Sequence, residues 1–272
     1  MSKGFAHYFN RFLVVLILAS VLYWVAITAL SPENAIYFDA FGFILALVPF
    51  AGALLGFSVQ KQWGGFGSFV GRSIIFISGG LLMWSFGQLA YLYYAVTAGE
   101  VPYPGLPDFF FVLMDPFYVL AILMIMKYAG VGRKIKTSSF AQFLLLVVPL
   151  ATLALNLKTF FGDFSNIDLS EYVYLDFVYT FGSIAVMTLI VLTILLSAKN
   201  LGGKMGLAVY MFLLGIVFQY VGDWLYSYFE SREIFVENGS VVDFVFFLSV
   251  ACVAYGLGRF NTESLNGSTE PV

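Results

Sequence analysis

Residues 73–97 read SIIFISGGLLMWSFGQLAYLYYAVT, a run of 25 residues without a charged side chain. About 20 helical residues cross the hydrocarbon core of a bilayer, so this run predicts a membrane-spanning helix. Seven further runs meet the same criterion, and the eight predicted spans lie near 11–30, 37–58, 73–97, 108–128, 139–157, 172–197, 205–229 and 241–259. The sequence therefore predicts an all-α integral membrane protein with eight transmembrane helices.

The composition excludes several other classes of protein. Of the 272 residues, 61% are hydrophobic and only 11% are charged, whereas about 25% are charged in a typical soluble domain. The net charge of −3 argues against nucleic acid as a partner. The single cysteine, Cys252, and the single histidine, His7, exclude a disulfide framework, a thiolate metal cluster and bis-histidine haem. We expect no metal, no cofactor and no enzymatic activity.

The basic residues predict the orientation of the spans. Lys and Arg concentrate in cytoplasmic loops of membrane proteins. If the N-terminus is cytoplasmic, eleven of the thirteen basic residues lie on the cytoplasmic side, and only Lys158 and Arg232 lie outside. An even number of spans then returns the C-terminus to the cytoplasm. We predict a multi-pass protein of the cell membrane, embedded in the lipid bilayer, with both termini cytoplasmic.

The two halves of the chain resemble each other. A shift of 135 residues aligns them without a gap from Gly80 to Leu113, and the matched pairs include Gly80 with Gly215, Gly87 with Gly222, Tyr91 with Tyr226, and Asp108 with Asp243. A looser match at a shift of 137 pairs Tyr37 and Asp39 with Tyr174 and Asp176. This pattern predicts two parallel four-helix repeats, 1–136 and 137–260, related by a pseudo-two-fold axis along the membrane normal. A disordered cytoplasmic tail is predicted at 261–272.

Polar side chains inside the spans are the candidates for function. Gln88 and Asp223 occupy matching positions in the outer thirds of the third and seventh spans. An ionisable group inside the membrane indicates function by default, and the alternative is a hydrogen bond that fixes the register of the two halves. Asp115 lies seven residues after Asp108, on the same helix face and about 10 Å deeper. Asp108 and Asp243 begin their helices, so we expect them to act as structural caps.

Taken together, these residues predict an outward-facing ligand cavity. Its expected ligand-binding residues are Trp84, Gln88, Tyr91, Asp115, Asp223 and Tyr226. Aromatic walls beside carboxylates are suited to a small amphiphilic or cationic ligand.

One family resemblance supports a signalling function. Residues 84–91 read W-x-x-G-Q-x-x-Y, and residues 102–116 read P-Y-P-x-x-P-D-x-F-x-x-x-x-x-P. This pattern resembles the multi-pass membrane sensor regions found N-terminal to GGDEF diguanylate cyclases and some histidine kinases, and 222–243 is similar to their later spans. The resemblance implies a membrane sensor of an unknown ligand. Those proteins continue into a cytoplasmic output domain and this chain ends at Val272, so we expect a separate cytoplasmic or membrane signalling partner.

Two alternatives remain open at this stage. A transporter of a small solute, proton or cation predicts polar groups at mid-membrane from both halves, whereas a sensor needs only a cavity closed at its inner side. A structural membrane subunit predicts a large apolar helix face that is left for a partner.

Overall fold

The computed structural model describes residues 3–161, 173–197, 205–230, 232, 234 and 238–261. The nine helices of this part are α1 (Lys3–Leu30), α2 (Ile36–Val59), α3 (Phe69–Ala98), α4 (Leu106–Tyr128), α5 (Val131–Thr137), α6 (Ser139–Phe161), α7 (Val173–Ser197), α8 (Gly206–Glu230) and α9 (Val241–Arg259). Eight of them, all except α5, are long and apolar enough to span a membrane, which confirms the predicted all-α, eight-span fold. The predicted tail, apart from Asn261, lies outside the described residues.

Glycines allow the closest helix contacts, which join α3 to α4 and α8 to α9. A Cβ atom at Gly87 would lie 2.5 Å from the Phe111 ring, and one at Gly222 would lie 2.6 Å from the Phe246 ring. Small residues of this kind let membrane helices approach each other closely. The two contacts are 135 residues apart in both partners, and a deeper pair has the same relation: Gly80 with Tyr118, and Gly215 with Val253.

The other helices pack around these two pairs in a reciprocal manner. α2 lies against α9, and α4 lies against α7. α1 covers α2, and α6 covers α7. The correspondence is incomplete, most clearly because α2 packs extensively on α3 whereas α7 has only limited contact with α8. The contact between α7 and α8 is therefore the less extensive of these two.

The described charged residues separate toward two ends of the bundle. We call one the basic end, defined by Lys61, Arg72, Lys127, Arg133, Lys134, Lys136 and Arg259. We call the opposite one the carboxylate end, defined by Glu33, Glu100, Asp108 and Asp243. Arg232 is a basic residue at the carboxylate end, where its guanidinium lies 4.3 Å from the centre of the Tyr228 ring.

The short helix α5 anchors α7 at the basic end. Val131 is buried and Ile135 packs against the core, so α5 lies on the protein rather than free of it. The Lys134 ammonium donates a hydrogen bond to the Leu196 carbonyl in the last turn of α7. A cation at a helix C-terminus satisfies a free carbonyl and complements the helix dipole.

Candidate functional site

A small cavity lies between α4, α7 and α8. Its walls are formed by Asp115, Tyr118, Ser183, Val186, Met187, Ile216, Gln219, Tyr220 and Asp223. About 20 Å³ is open to the centres of water-sized molecules, which is room for one or two waters. The helix positions place Asp115 and Asp223 about 10–14 Å below the carboxylate end. The cavity is therefore within the bundle, at a depth that hydrocarbon surrounds in a bilayer.

The α4 wall brings two carboxylates toward α7. At the carboxylate end, the Tyr179 hydroxyl donates a hydrogen bond of 3.0 Å to Asp108 Oδ1. Two helical turns deeper, Asp115 Oδ2 lies only 2.1 Å from the position that a Cβ atom at Gly182 would occupy. Gly182 therefore provides the space in which the Asp115 carboxylate rests against α7.

The α8 wall carries a polar network that continues into α9. Gln219 Nε2 donates to Asp223 Oδ1 at 3.0 Å, and Ser249 Oγ on α9 donates to Gln219 Oε1 at 3.3 Å. These bonds fix one oxygen of Asp223 and leave its other oxygen available to the cavity. The network holds Asp223 in place through a rigid part of the bundle.

Tyr220 extends the polar wall toward α6. Its hydroxyl donates to Asn156 Oδ1 at 3.3 Å. Asn156 is only 4% exposed, and its Nδ2 atom has no hydrogen-bond partner among the described residues. The side of the cavity that faces α6 therefore contains an unused donor as well as the tyrosine hydroxyl.

Ser183 differs from two threonines that follow it on α7. The hydroxyls of Thr188 and Thr193 donate hydrogen bonds to the backbone carbonyls four residues earlier, as Ser and Thr hydroxyls commonly do within helices. Within the described part of the chain, Ser183 makes no such bond and lines the cavity instead. It adds an unoccupied hydroxyl to the cavity wall.

The charge of the cavity is not balanced by its own walls. Asp115 and Asp223 both line it, and no basic side chain is among the described lining residues. An isolated ionised carboxylate in a low-dielectric environment costs several kcal/mol unless it gains a proton, a cation or bound water. The arrangement can therefore hold a proton, a small cation or a polar molecule that carries positive charge.

The structure brings together only two of the six predicted ligand-binding residues. Asp115 and Asp223 share the cavity, whereas Trp84 is packed between Phe111 and Phe246, with ring centres 5.0 and 5.3 Å apart respectively. The other three lie outside the cavity lining: Gln88 is buried beside Gly42 of α2, Tyr91 is half-buried, and Tyr226 is 39% exposed.

The two predicted caps bond to the backbone ahead of their helices. Asp108 Oδ2 accepts a hydrogen bond of 2.8 Å from the Gly105 N–H, and Asp243 Oδ2 accepts one of 2.7 Å from the Gly239 N–H. A carboxylate in the first turn of a helix satisfies backbone donors in this way and also complements the helix dipole.

Sequence reasoning missed several residues that line the cavity or bond to its lining. Gln219 carried a usable signal, because a glutamine four residues before an intramembrane aspartate lies next to it on the same helix face. Ser183 and Asn156 carried no comparable signal, since Ser and Asn are common hydrogen-bonding residues of membrane helices.

The two shifts that align the halves of the sequence also align the cavity residues with residues at a second location in the bundle. At a shift of 135, α3 aligns with α8 and α4 aligns with α9; at a shift of 137, α2 aligns with α7. The cavity residues therefore align with residues at the contact of α2, α3 and α9, which we call the counterpart site. The matched residues are Gln88 with Asp223, Trp84 with Gln219, Ser85 with Tyr220, Ala46 with Ser183, and Val250 with Asp115.

The counterpart site is closed by direct packing. Ser85 Oγ donates to the Ala46 carbonyl at 2.8 Å, which joins α3 to α2. Ala46 and Val250 are each 1% exposed, and Ser85 is fully buried. Trp84, which the shift of 135 aligns with Gln219, is buried and packs against Phe111 of α4 and Phe246 of α9.

No protein-family model, curated protein or solved structure matches this chain.

Proposed function

We propose that this multi-pass membrane protein is a sensor of signalling type, without catalysis of its own, that binds a small ligand in the α4–α7–α8 cavity. The observation that carries the proposal is the lining: two carboxylates and an unoccupied hydroxyl face a water-sized space within the bundle, without a basic partner among the described residues. Structural packing alone favours the opposite, an apolar and filled interior.

The size and charge of the cavity support a small polar or cationic ligand. The space admits one or two water-sized molecules, so an amphiphile would require the cavity to widen. Asp115 offers both carboxylate oxygens, since it accepts no hydrogen bond from the described residues, and Asp223 offers one. These acceptors favour a small inorganic cation or an ammonium group.

The apolar layer below the cavity supports sensing rather than conduction. On the side of the basic end, the lining is Val186, Met187 and Ile216, together with the buried Tyr118. Deeper still, the buried side chains Ile122, Ile190 and Leu213 are wholly apolar. A cavity of this form receives a ligand from one side only. A bound ligand would act on a signalling partner through helix positions at the basic end.

A transporter of a small solute, proton or cation is the second candidate function. It is favoured by the reciprocal packing of the halves, in which α2 contacts α9 as α4 contacts α7. Parallel repeats that move against each other are a known basis of alternating access. Paired glycine contacts at the constant spacing of 135 support the same repeat.

The charge separation supports an orientation with both termini cytoplasmic in the cell membrane. The basic end would face the cytoplasm, by the positive-inside rule. The cavity would then open in the outer half of the bilayer, where an external ligand has access.

Thermal unfolding in detergent can test the cavity directly. We would titrate sodium, potassium, ammonium and calcium chlorides against choline chloride at constant ionic strength. The test variant is Asp115→Asn with Asp223→Asn, and its control is Glu33→Gln with Glu100→Gln, which removes two exposed charges from the same end. A ligand at 100 times its Kd stabilises the folded state by about 2.7 kcal/mol.

We expect one cation to raise the melting temperature of the wild type and of the control but not of the test variant. Native mass spectrometry of gently extracted protein would reveal a retained organic cation in the same comparison. Equal shifts in all three proteins, with no retained molecule, would reject the ligand cavity.

A further inference from the structure

We infer that α7 can close onto α8, converting the cavity into the packed arrangement that the counterpart site already has. The inference concerns the regulation of the proposed ligand cavity and rests on that proposal for its role, but the movement itself can be tested without any ligand. Its physical basis is the difference between two matched helix contacts within one chain.

The closed arrangement is present in the first half. There α2 and α3 are in direct contact, and the Ser85 hydroxyl reaches the backbone of α2 at Ala46. In the second half the matching residues are Tyr220 and Ser183, and both line the cavity instead of meeting. Related helices can therefore adopt two spacings in the same bundle.

The attachments of α7 favour a movement toward α8. α7 packs mainly on α4 and α6, and its contact with α8 is limited. Its basic end is held by Lys134, whereas its contact with α8 near Ser183 is interrupted by the cavity. Approach of α7 to α8 would replace the water-sized space by contact between side chains.

The two carboxylates hold the cavity open. Closure would remove the water-sized space beside Asp115 and Asp223, and the lining provides no cation to compensate them. Burial of uncompensated charge is more costly than the packing that closure adds. The counterpart site avoids this cost because its matching residues, Val250 and Gln88, carry no charge. Neutralisation of the carboxylates therefore shifts α7 toward α8.

The polar and titratable groups around the two carboxylates come from every neighbouring helix. They are Asp108 and Tyr118 on α4, Tyr179 on α7, Gln219 and Tyr220 on α8, Ser249 on α9 and Asn156 on α6. None of these described side chains is basic, so the charge of the site is set by Asp115 and Asp223 together with Asp108.

Disulfide cross-linking in membranes tests the movement. In a Cys252→Ser background, one protein carries Ser183→Cys with Tyr220→Cys across the cavity. Its matched control carries Ala46→Cys with Ser85→Cys across the counterpart site. Each pair is made with the natural aspartates and with Asp115→Asn plus Asp223→Asn, and cross-linking is followed after addition of a copper–phenanthroline oxidant.

We expect the control pair to cross-link equally in both backgrounds, which also shows that the neutralised protein is folded. The cavity pair should cross-link slowly with aspartates and at least about fivefold faster with asparagines. If the control pair cross-links, the inference is overturned when the cavity pair cross-links at the same rate in both backgrounds or fails to cross-link in both. If no cation stabilises the protein yet neutralisation accelerates the cross-link, the ligand proposal fails and the closure stands.

Discussion

The cavity and the counterpart site, which the two sequence shifts align, differ in how their residues pack. At the counterpart site, the Ser85 hydroxyl is hydrogen-bonded to the backbone of α2, and the neighbouring Trp84 indole is packed between two phenylalanine rings. The cavity has glutamine in the place of that indole and an aspartate in the place of a valine. The aligned residues of the counterpart site are packed against each other, whereas those of the cavity include two carboxylates that line a space. This contrast separates residues that stabilise the bundle from residues that are available for a ligand.

The largest expected effect comes from exchanging charge between the two sites. Val250→Asp places a carboxylate in a sealed position, so we expect the free energy of unfolding to fall by about 3–5 kcal/mol. The converse change, Asp115→Val, removes an uncompensated charge and should leave it unchanged or raise it by up to about 1 kcal/mol. SDS titration in mixed micelles measures both. Similar losses in both variants would mean that the two sites do not differ in packing.

Alanine substitution of Gly87 and Gly222 tests whether the two aligned glycine–phenylalanine contacts contribute equally to stability. Gly87→Ala and Gly222→Ala each force a Cβ atom into a phenylalanine ring, so each should lower the free energy of unfolding by about 1–3 kcal/mol. Gly132→Ala is the control, because a Cβ atom there meets nothing within 4 Å. Thermal denaturation followed by tryptophan fluorescence gives the comparison. A loss in only one of the matched variants would contradict the reciprocal packing.

The smallest effect concerns two hydroxyls. Ser85→Ala removes a buried hydrogen bond to Ala46 and should cost about 1 kcal/mol. Ser183→Ala removes a hydroxyl that has no described partner, so the free energy of unfolding should stay within about 0.5 kcal/mol of the wild type. Urea unfolding in a mild detergent resolves this difference. A larger cost at Ser183 than at Ser85 would indicate that the serine in the cavity is structural.

Much of the fold could be predicted because the bilayer restricts the solutions. An apolar run such as 73–97 has to be a helix, and its length fixes the span. The glycine contacts were also foreseeable, since Gly80 and Gly87 lie on one helix face. The short helix α5 was not, because its position depends on contacts of Val131 and Lys134 with distant parts of the chain.

The candidate site was only partly predictable. Asp115 and Asp223 could be chosen because charge inside a span is costly and therefore informative. Depth in the membrane follows from the sequence, but the neighbour of each helix face does not. Trp84 and Gln88 have the expected depth, but α9 and α2 cover them. The residues aligned with them, Gln219 and Asp223, line the cavity because α7 has less contact with α8.

The hydrogen bond from Lys134 holds the last turn of α7 against α5, so a tilt of α7 would pivot about that turn. Ser183 lies 13 residues from Leu196, about 20 Å along the helix axis. A tilt of about 10° about the last turn of α7 would move Ser183 by about 3 Å, and the far end of the 25-residue helix by about 6 Å. Small rotations of α7 at the basic end thus correspond to displacements of atomic size at the cavity.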